Sequence, residues 1–381
     1  MNVHSGDRTG ELVNAARRFA ADHVVEAAAD WERERRMPAE LFKTAAEAGL
    51  LGLMVPPEAG GHGLGLKQTA AIDEVLAGAD MALAFAFKVH GNLAGNLARN
   101  GSPAQIERYL KAMLTGEVIG AFLLTEPRGG SDATAITTRA RPDGDGWVLD
   151  GEKAWVSNGA VAGVMLVFAQ TDPAKGWRGI AGFLVDADTP GIKRQPAYHM
   201  LSGHALGTCG VTFEGVQLSR DAMLLEPEAA FKGAMGGIDI ARIGVGAMAA
   251  GMMAASLDAA LAHTRERAAF GQTIADFQGV QWQLAEAATD LEATRLLTGH
   301  AADLFDAGEN ATVAAAHAKK FGSRAAVRTI SKLTQIMGAI GFRHDAGHPL
   351  ARHLASAKMA EWLDGANEIQ NLVIARSLLR D

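Results

Sequence analysis

The run FLLTEPRGGSDATAITTRA, residues 122–140, followed by WVLDGEKAWVSNG, residues 147–159, decides the fold class, because the apolar spacing changes there. Upstream, from about Thr9 to Thr115, apolar residues recur at steps of three and four, as in Leu12, Ala16, Phe19 and Ala20. That is the spacing of an amphipathic helix. Pro38 suits the first turn of the next helix, AELFKTAAEAGL, which Gly49 closes. From about Glu117 to Leu225 the signal is that of strands. WVLDGEKAWVS reads as two short strands around Asp150-Gly151, a dipeptide favoured in tight hairpin turns. VMLVFAQ, GFLVD and GVTFEGVQL are further strand-like runs separated by Gly, Pro and Asp. From about Phe231 the helical spacing returns in long Ala-rich stretches, with Ile330, Leu333, Met337 and Ile340 on one face. The reading is an α+β chain, mostly helical, with a central antiparallel β domain. Its three zones, residues 1–116, 117–226 and 227–381, are expected to pack as one subunit.

Composition narrows the function classes. The 381 residues are 48% hydrophobic, enough for a sizeable core, and carry a net charge of −7 with acids and bases interleaved. Such a surface argues against nucleic-acid binding. Cys209 is the only cysteine, so no intrachain disulfide forms, and a reducing cytoplasm suits the chain. The start, MNVHSGDRTGELV, shows no basic region followed by an apolar run, so no signal peptide is expected. The most apolar segment, IGVGAMAAGMMAA from Ile243, is 13 residues of mostly small side chains, read as too short for a bilayer and suited to close helix packing. A cytoplasmic protein with no membrane partner is the expectation.

Several patterns tempt a chemical reading. Gly60–Leu66, GGHGLGL, follows no strand, so it reads as a turn rather than a dinucleotide loop. His344, His348 and His353 are separated by Pro349 and lack HExxH or paired cysteines, so no metal site is expected. No G-x-S-x-G or Walker A pattern occurs. The loop TEPRGGSD is more informative. Its hydroxyls and exposed amides suit a planar heterocycle or a phosphate, because glycine permits close backbone approach, although the same residues serve a structural turn equally well. Trp155 and Ser157, by strand alternation, place an aromatic plane beside a hydroxyl. EWLDGANEIQ, residues 361–370, sets Asp364 between two helical stretches, either as a helix cap or as a working carboxylate.

Together these pieces resemble the acyl-CoA dehydrogenase family of flavoproteins over nearly the whole chain. TEPRGGSD resembles its T-E-P-x-x-G-S-D, and WVLDGEKAWVSNG its N-G-x-K-x-W-I-T/S-N-G hairpin. RERAAFGQTIADFQGVQWQLAE, QIMGAIGF and DGANEIQNLVIAR resemble three further family motifs in the same order. The resemblance implies an N-terminal helical domain, a central β-barrel-like domain and a C-terminal four-helix bundle. It further implies a homotetramer built as a dimer of dimers, with one non-covalent FAD per subunit, acyl-CoA as substrate and electron-transfer flavoprotein as acceptor. Residue by residue, it places FAD contacts at Leu124, Thr125, Gly130 and Ser131. Thr125 and nearby backbone would meet the pyrimidine side, Trp155 would pack on the ring and Ser157 would bond near N5. Arg267, Phe270, Gln335 and Gly338 would reach a neighbouring subunit's FAD, and Glu368 is a further cofactor contact. Ser131, Asp239, Arg242 and Gly365 would serve the CoA thioester. The implied reaction removes an α-proton to a buried carboxylate and passes a β-hydride to flavin N5, giving a 2-enoyl thioester.

The sequence departs from the family at the base. Where the family carries glutamate, this chain has Asp364, and the alternative base position is Ala241. Aspartate is about 1 Å shorter, a displacement worth on the order of 100-fold in rate if the substrate stays put. Three readings follow. A ring or α-branched acyl group comes closer to the base, as in cyclohexanecarboxyl-CoA-type members, which the chain resembles in using aspartate. Alternatively the chain is a slower dehydrogenase of linear CoA or acyl-carrier-protein thioesters with a shifted pocket. Or α-deprotonation is no longer the main reaction, leaving a lyase, oxygenase or FAD-binding scaffold. Ala366, Glu368, His204, Leu206 and Ala355-Ser356 are further departures from the family pattern.

Overall fold

The computed structural model describes residues 5–379. The chain opens with helices α1 (Ser5–His23), α2 (Ala28–Glu34), α3 (Leu41–Glu47), α4 (Leu66–Ala79) and α5 (Met81–Asn100). α6 (Pro103–Gln105) then runs through a π turn at Ile106–Leu110 into α7 (Lys111–Leu114). The strands follow: β1 (Gly120–Leu123), β2 (Arg139–Asp143), β3 (Gly146–Val156), β4 (Val164–Gln170), β5 (Ile180–Asp186), β6 (Ile192–Arg194), β7 (Cys209–Leu218) and β8 (Met223–Leu225). Next come the long α8 (Ala229–Glu266), a short ribbon of β9 (Ala268–Ala269) and β10 (Gln272–Thr273), and helices α9 (Gln278–Asp306), α10 (Thr312–Met337), α11 (Leu350–Ala360) and α12 (Asn367–Leu378). The expected class, mostly helical with a sheet domain in the middle, is the observed one.

One hydrophobic core joins the first and last helical zones. Leu12, Ala16 and Phe19 of α1, Ile72 and Leu76 of α4, and Met248 and Met252 of α8 share it with Ile330 and Leu333 of α10. α8 passes so close to α4 that a Cβ at Gly251 would lie 2.0 Å from the Glu74 carbonyl oxygen. This explains its small residues. The helix is also longer than the 13-residue apolar segment suggested. By length and composition it could cross a bilayer, yet 89% of its most apolar window is buried inside the protein. Here an apolar run reports burial against neighbouring helices.

The sheet order is β6-β7-β3-β2-β4-β5-β8, with β1 also on β4. β4 is buried along its whole length. Alternation sends Val164, Leu166 and Phe168 toward Leu93, Leu97 and Tyr109 of the helices, and Met165, Val167 and Ala169 toward the sheet's own core. Three local expectations fail. First, the sheet is not purely antiparallel: β1 pairs with β4 in parallel, and β2 meets β4 in parallel at Arg139 and Gln170. Second, Asp150-Gly151 is no hairpin turn. β3 runs straight through it, pairing with β2 on one side and β7 on the other, and its register on β7 shifts there. Gly151, at φ 141°, passes Thr138 so closely that a Cβ would sit 2.6 Å from Thr138 Cα. The β2–β3 turn falls instead at Gly144-Asp145, between the paired Asp143 and Gly146. Third, Pro38 precedes α3 by three residues, and Gly338, at φ 65°, ends α10 so that Ile340 is 40% exposed rather than on the buried face.

Candidate active site

The TEPRGGSD loop is fixed by a buried ion pair behind it. Lys153 of β3 is fully buried and donates to the Leu124 carbonyl (3.0 Å) and to Glu126 Oε1 (2.9 Å). Glu126 also accepts from the Thr137 amide (2.7 Å), the Thr137 hydroxyl (2.7 Å) and the Thr138 amide (2.9 Å). Burial alone would raise the Glu126 carboxyl, but Lys153 and these donors outweigh it and hold it at about 2. Burial pushes the Lys153 ammonium down to about 8 against the pull of Glu126. With the Ala154 amide donating to the Thr125 carbonyl (3.0 Å), the loop backbone is locked to β3. Thr125, Gly130 and Ser131 then line a cavity of about 820 Å³, together with Leu124, Trp155 and Ser157. That size lies within the roughly 300–1,000 Å³ typical of ligand pockets.

Trp155 and Ser157 reach the cavity by a route that simple alternation does not give. The β3–β7 register shifts again between Lys153 and Val156, and Trp155 takes φ +58° at that bulge. Its ring is 62% exposed and meets Tyr198 edge-on at 4.9 Å. Ser157 lies past the strand end, in a turn anchored by buried Asn158, whose amide donates to the Ala86 (2.9 Å) and Gly120 (3.1 Å) carbonyls. An exposed aromatic plane held in a left-handed conformation is the cradle a flat ring system needs.

The opposite wall comes from Arg242 of α8 and from the turn between α11 and α12, Trp362–Ala366. Asp364 and Gly365 are both left-handed, at φ 52° and φ 95°. For aspartate this costs on the order of 1 kcal/mol. Bonds to the backbone hold the pair in place: Arg242 Nε to the Asp364 carbonyl (3.1 Å), and Gln370 Nε2 (2.9 Å) and Lys319 Nζ (2.9 Å) to the Gly365 carbonyl. The Asp364 carboxylate caps no helix, since Ala366 occupies the cap position of α12. Its Oδ2 is shielded from solvent and has no hydrogen-bond partner. Desolvation raises this carboxyl to about 6, against the opposing pull of Lys319, Arg242 and Lys88. The cap reading is therefore excluded, and an ionisable acid forms part of the cavity wall.

Comparison with known proteins matches this architecture along the chain. The family models for the acyl-CoA dehydrogenase N-terminal, middle and C-terminal domains match residues 7–117, 121–216 and 231–379. The chain belongs to the acyl-CoA dehydrogenase family. Short-chain specific acyl-CoA dehydrogenase of Bos taurus is 37% identical over 371 residues, covering 97% of this chain and 89% of that protein. The solved butyryl-CoA dehydrogenase of Megasphaera elsdenii is 31% identical with a TM-score of 0.94, each chain covered fully. A chain of the solved electron transferring flavoprotein of Acidaminococcus fermentans is 32% identical with a TM-score of 0.95, again with full coverage of both. Acyl-CoA dehydrogenase chemistry on an acyl-CoA is thus the activity of this oxidoreductase, and FAD is the cofactor its family binds.

Against the residues that the family resemblance singled out, the structure makes a clear division. Leu124, Thr125, Gly130, Ser131, Trp155, Ser157, Arg242, Asp364 and Gly365 converge on the one cavity. Asp239 does not line it. It sits behind Arg242, accepting from Arg242 Nη1 (2.9 Å) and from the Thr312 hydroxyl (2.7 Å). Glu368 is exposed in the first turn of α12, outside the cavity. Arg267, Phe270, Gln335 and Gly338 are also exposed and outside it, with Phe270 96% exposed at φ 55°. Sequence reasoning missed Lys319 and Gln370, and gave no role to the Glu126–Lys153 pair. A signal for Lys319 was present: Ala315, Lys319, Gly322 and Ala326 follow helical spacing and are all buried, so the lysine lies on an apolar face.

Proposed function

We propose that Asp364 is the base that takes the α-proton of an acyl-CoA thioester, and that the acyl group is cyclic, of the cyclohexanecarboxyl type, or α-branched. The observation that carries the proposal is Asp364 in the cavity wall, with its carboxyl raised to about 6 and its shielded Oδ2 without a hydrogen-bond partner. A base needs a proton affinity near the working pH and a place beside the substrate, and the raised carboxyl in the cavity wall supports both. FAD fits the opposite wall: the Leu124–Ser131 loop offers backbone and hydroxyl groups, Trp155 a ring face and Ser157 a hydroxyl. When bound, FAD supplies the acceptor for the two electrons of the β-hydride. The chain's own residues do the rest. Arg242 fixes the Asp364 backbone, Gly365 leaves room beside the carboxylate, and the apolar lining keeps water from the acid. Asp239 holds the Arg242 guanidinium in place.

The acyl preference rests on reach. With one methylene fewer than glutamate, the base needs an α-carbon brought closer, which a ring or a branch at that carbon supplies. The names of the relatives, short-chain and butyryl, favour the linear reading instead. Electron-transfer flavoprotein as electron acceptor and a homotetramer in which Arg267, Phe270, Gln335 and Gly338 approach a neighbouring subunit's cofactor belong to the same proposal, as does a cytoplasmic location. The test is anaerobic titration of the yellow holoprotein with linear, α-branched and cyclohexanecarboxyl thioesters of CoA. Bleaching fastest with the cyclic or branched thioesters is expected. Fastest bleaching with butyryl-CoA would establish the linear reading, and no bleaching with any of them would overturn the dehydrogenase reading in favour of an FAD-binding scaffold.

A further inference from the structure

We infer that Lys319 of α10 is the positioning residue for Asp364, fixing the turn that carries the carboxylate and supplying, among the described residues, the one cation acting on it that no other carboxylate neutralises. This deepens the dehydrogenase reading and rests on it. Lys319 is fully buried. Its three donors go to the Glu361 carbonyl (2.7 Å), the Gly365 carbonyl (2.9 Å) and Asn367 Oδ1 (3.0 Å). These acceptors bracket Asp364 on both sides, so one ammonium ties together the end of α11, the left-handed pair and the start of α12. An ammonium has three N–H donors and all three are used.

Charge bookkeeping at the turn singles out the same residue. Three cations act on Asp364: Lys319, Arg242 and Lys88. Lys88 of α5 is paired with buried Asp73 at 2.7 Å, and Arg242 of α8 with Asp239 at 2.9 Å. Among the described residues Lys319 has no carboxylate within ion-pair distance, and its bonds go to carbonyl and amide oxygens. The charged groups that face it are Asp364 and Glu361 of the turn, Arg242 of α8 and Glu368 of α12, with Asp364 acting most strongly. Burial lowers the Lys319 ammonium to about 8 against the pull of Asp364. A neutral amine keeps only two N–H donors for three acceptors. Loss of that proton therefore releases one acceptor of the turn and removes the free cation at the same time.

The test uses FAD-loaded Lys319→Met with whichever thioester bleaches the wild type, measured across pH. The acid limb of the bleaching rate is expected to move up by on the order of one pH unit with the cation gone. The maximal rate should fall on the order of 10- to 100-fold as the base shifts, while half-saturation stays within about threefold. Lys319→Arg, which keeps the charge, should return the acid limb but not the full rate. Independently of turnover, the Asp364 carboxyl band, identified by infrared difference against Asp364→Asn, should titrate at higher pH in Lys319→Met. If that variant does not fold, Lys319→Gln carries the same readings, because it drops the charge and keeps amide donors. An unmoved acid limb and carboxyl band in the neutral variant, or a wild-type rate that stays flat from about pH 7 to about pH 10, overturns this inference alone. Absence of bleaching in the wild type overturns the dehydrogenase reading and this inference with it.

Discussion

Replacing Asp364 by Asn should favour the variant's stability progressively as the pH rises from acid to neutral, while abolishing turnover. The carboxyl's ordinary value of 3.8 is raised to about 6 in the folded protein. At about 1.4 kcal/mol per pH unit, that difference corresponds to about 3 kcal/mol. The sign follows from proton binding. Between 3.8 and about 6 the folded state holds more protons on this group than the unfolded chain, so raising the pH through this window lowers stability. The group's contribution is fully favourable below the unfolded value and has become a penalty above the folded one. Asparagine has no such window. Its buried amide costs a constant on the order of 1–3 kcal/mol if its donors find no partner. That constant cancels when the variant-minus-wild-type difference is compared at two pH values. Denaturant unfolding of the holoprotein at about pH 4.5 and about pH 7.5 should show the difference growing in favour of asparagine by about 2 kcal/mol, the part of the window that lies above the lower pH. Anaerobic bleaching should fall by at least on the order of a thousandfold with FAD retained. A stability difference that is the same at both pH values, or bleaching that survives the substitution, would refute the assignment of a raised, working carboxyl.

Other substitutions probe the supports around that acid. Asp364→Glu should speed bleaching by linear thioesters and slow it with cyclic ones, by on the order of 10-fold each way; equal effects on both would undo the argument from reach. Glu126→Gln leaves Lys153 buried without its carboxylate, so it should cost about 3–5 kcal/mol in unfolding free energy and weaken FAD retention on dialysis. An unchanged melting curve would count against the ion pair as the anchor of the loop. Gly365→Ala forces a Cβ onto a φ of 95°, at 3.2 Å from Gln370 Nε2. A loss of about 1–2 kcal/mol and slower bleaching are expected, and wild-type values for both would show that the turn tolerates a side chain.

The division between sequence and structure is visible in particular residues. The change of apolar spacing near residues 117–122, from three and four to two and back again near Phe231, reflects how each local segment buries its apolar face, so the order of helices, sheet and helices was legible. VMLVFAQ was legible for the same reason and coincides with β4. Asp364 stood out because its neighbours form a helix–turn–helix pattern with an acid at the break. Motif likeness supplied the rest of the candidate set, and its cavity members converge as named.

Pairing partners were not legible, because they depend on which distant strand lies alongside. Asp150-Gly151 carries a turn signature, but β2 and β7 flank β3 on both sides and turn it into a bulge within a continuous strand. Trp155 likewise reaches the cavity through a positive φ at a register shift, which no strand pattern encodes. The electrostatics of Asp364 were hidden for a related reason. Lys319, Arg242 and Lys88 lie 45, 122 and 276 positions from Asp364 in sequence, and only folding brings their charges to one carboxylate. The sequence by itself determined the element types, the family and the identity of the acid, because these follow from local spacing and motif. Tertiary structure alone decided that the acid is desolvated, with Oδ2 unpartnered, and that a buried lysine bonds the backbone beside it, because solvation and Coulomb interaction depend on distance in space rather than along the chain.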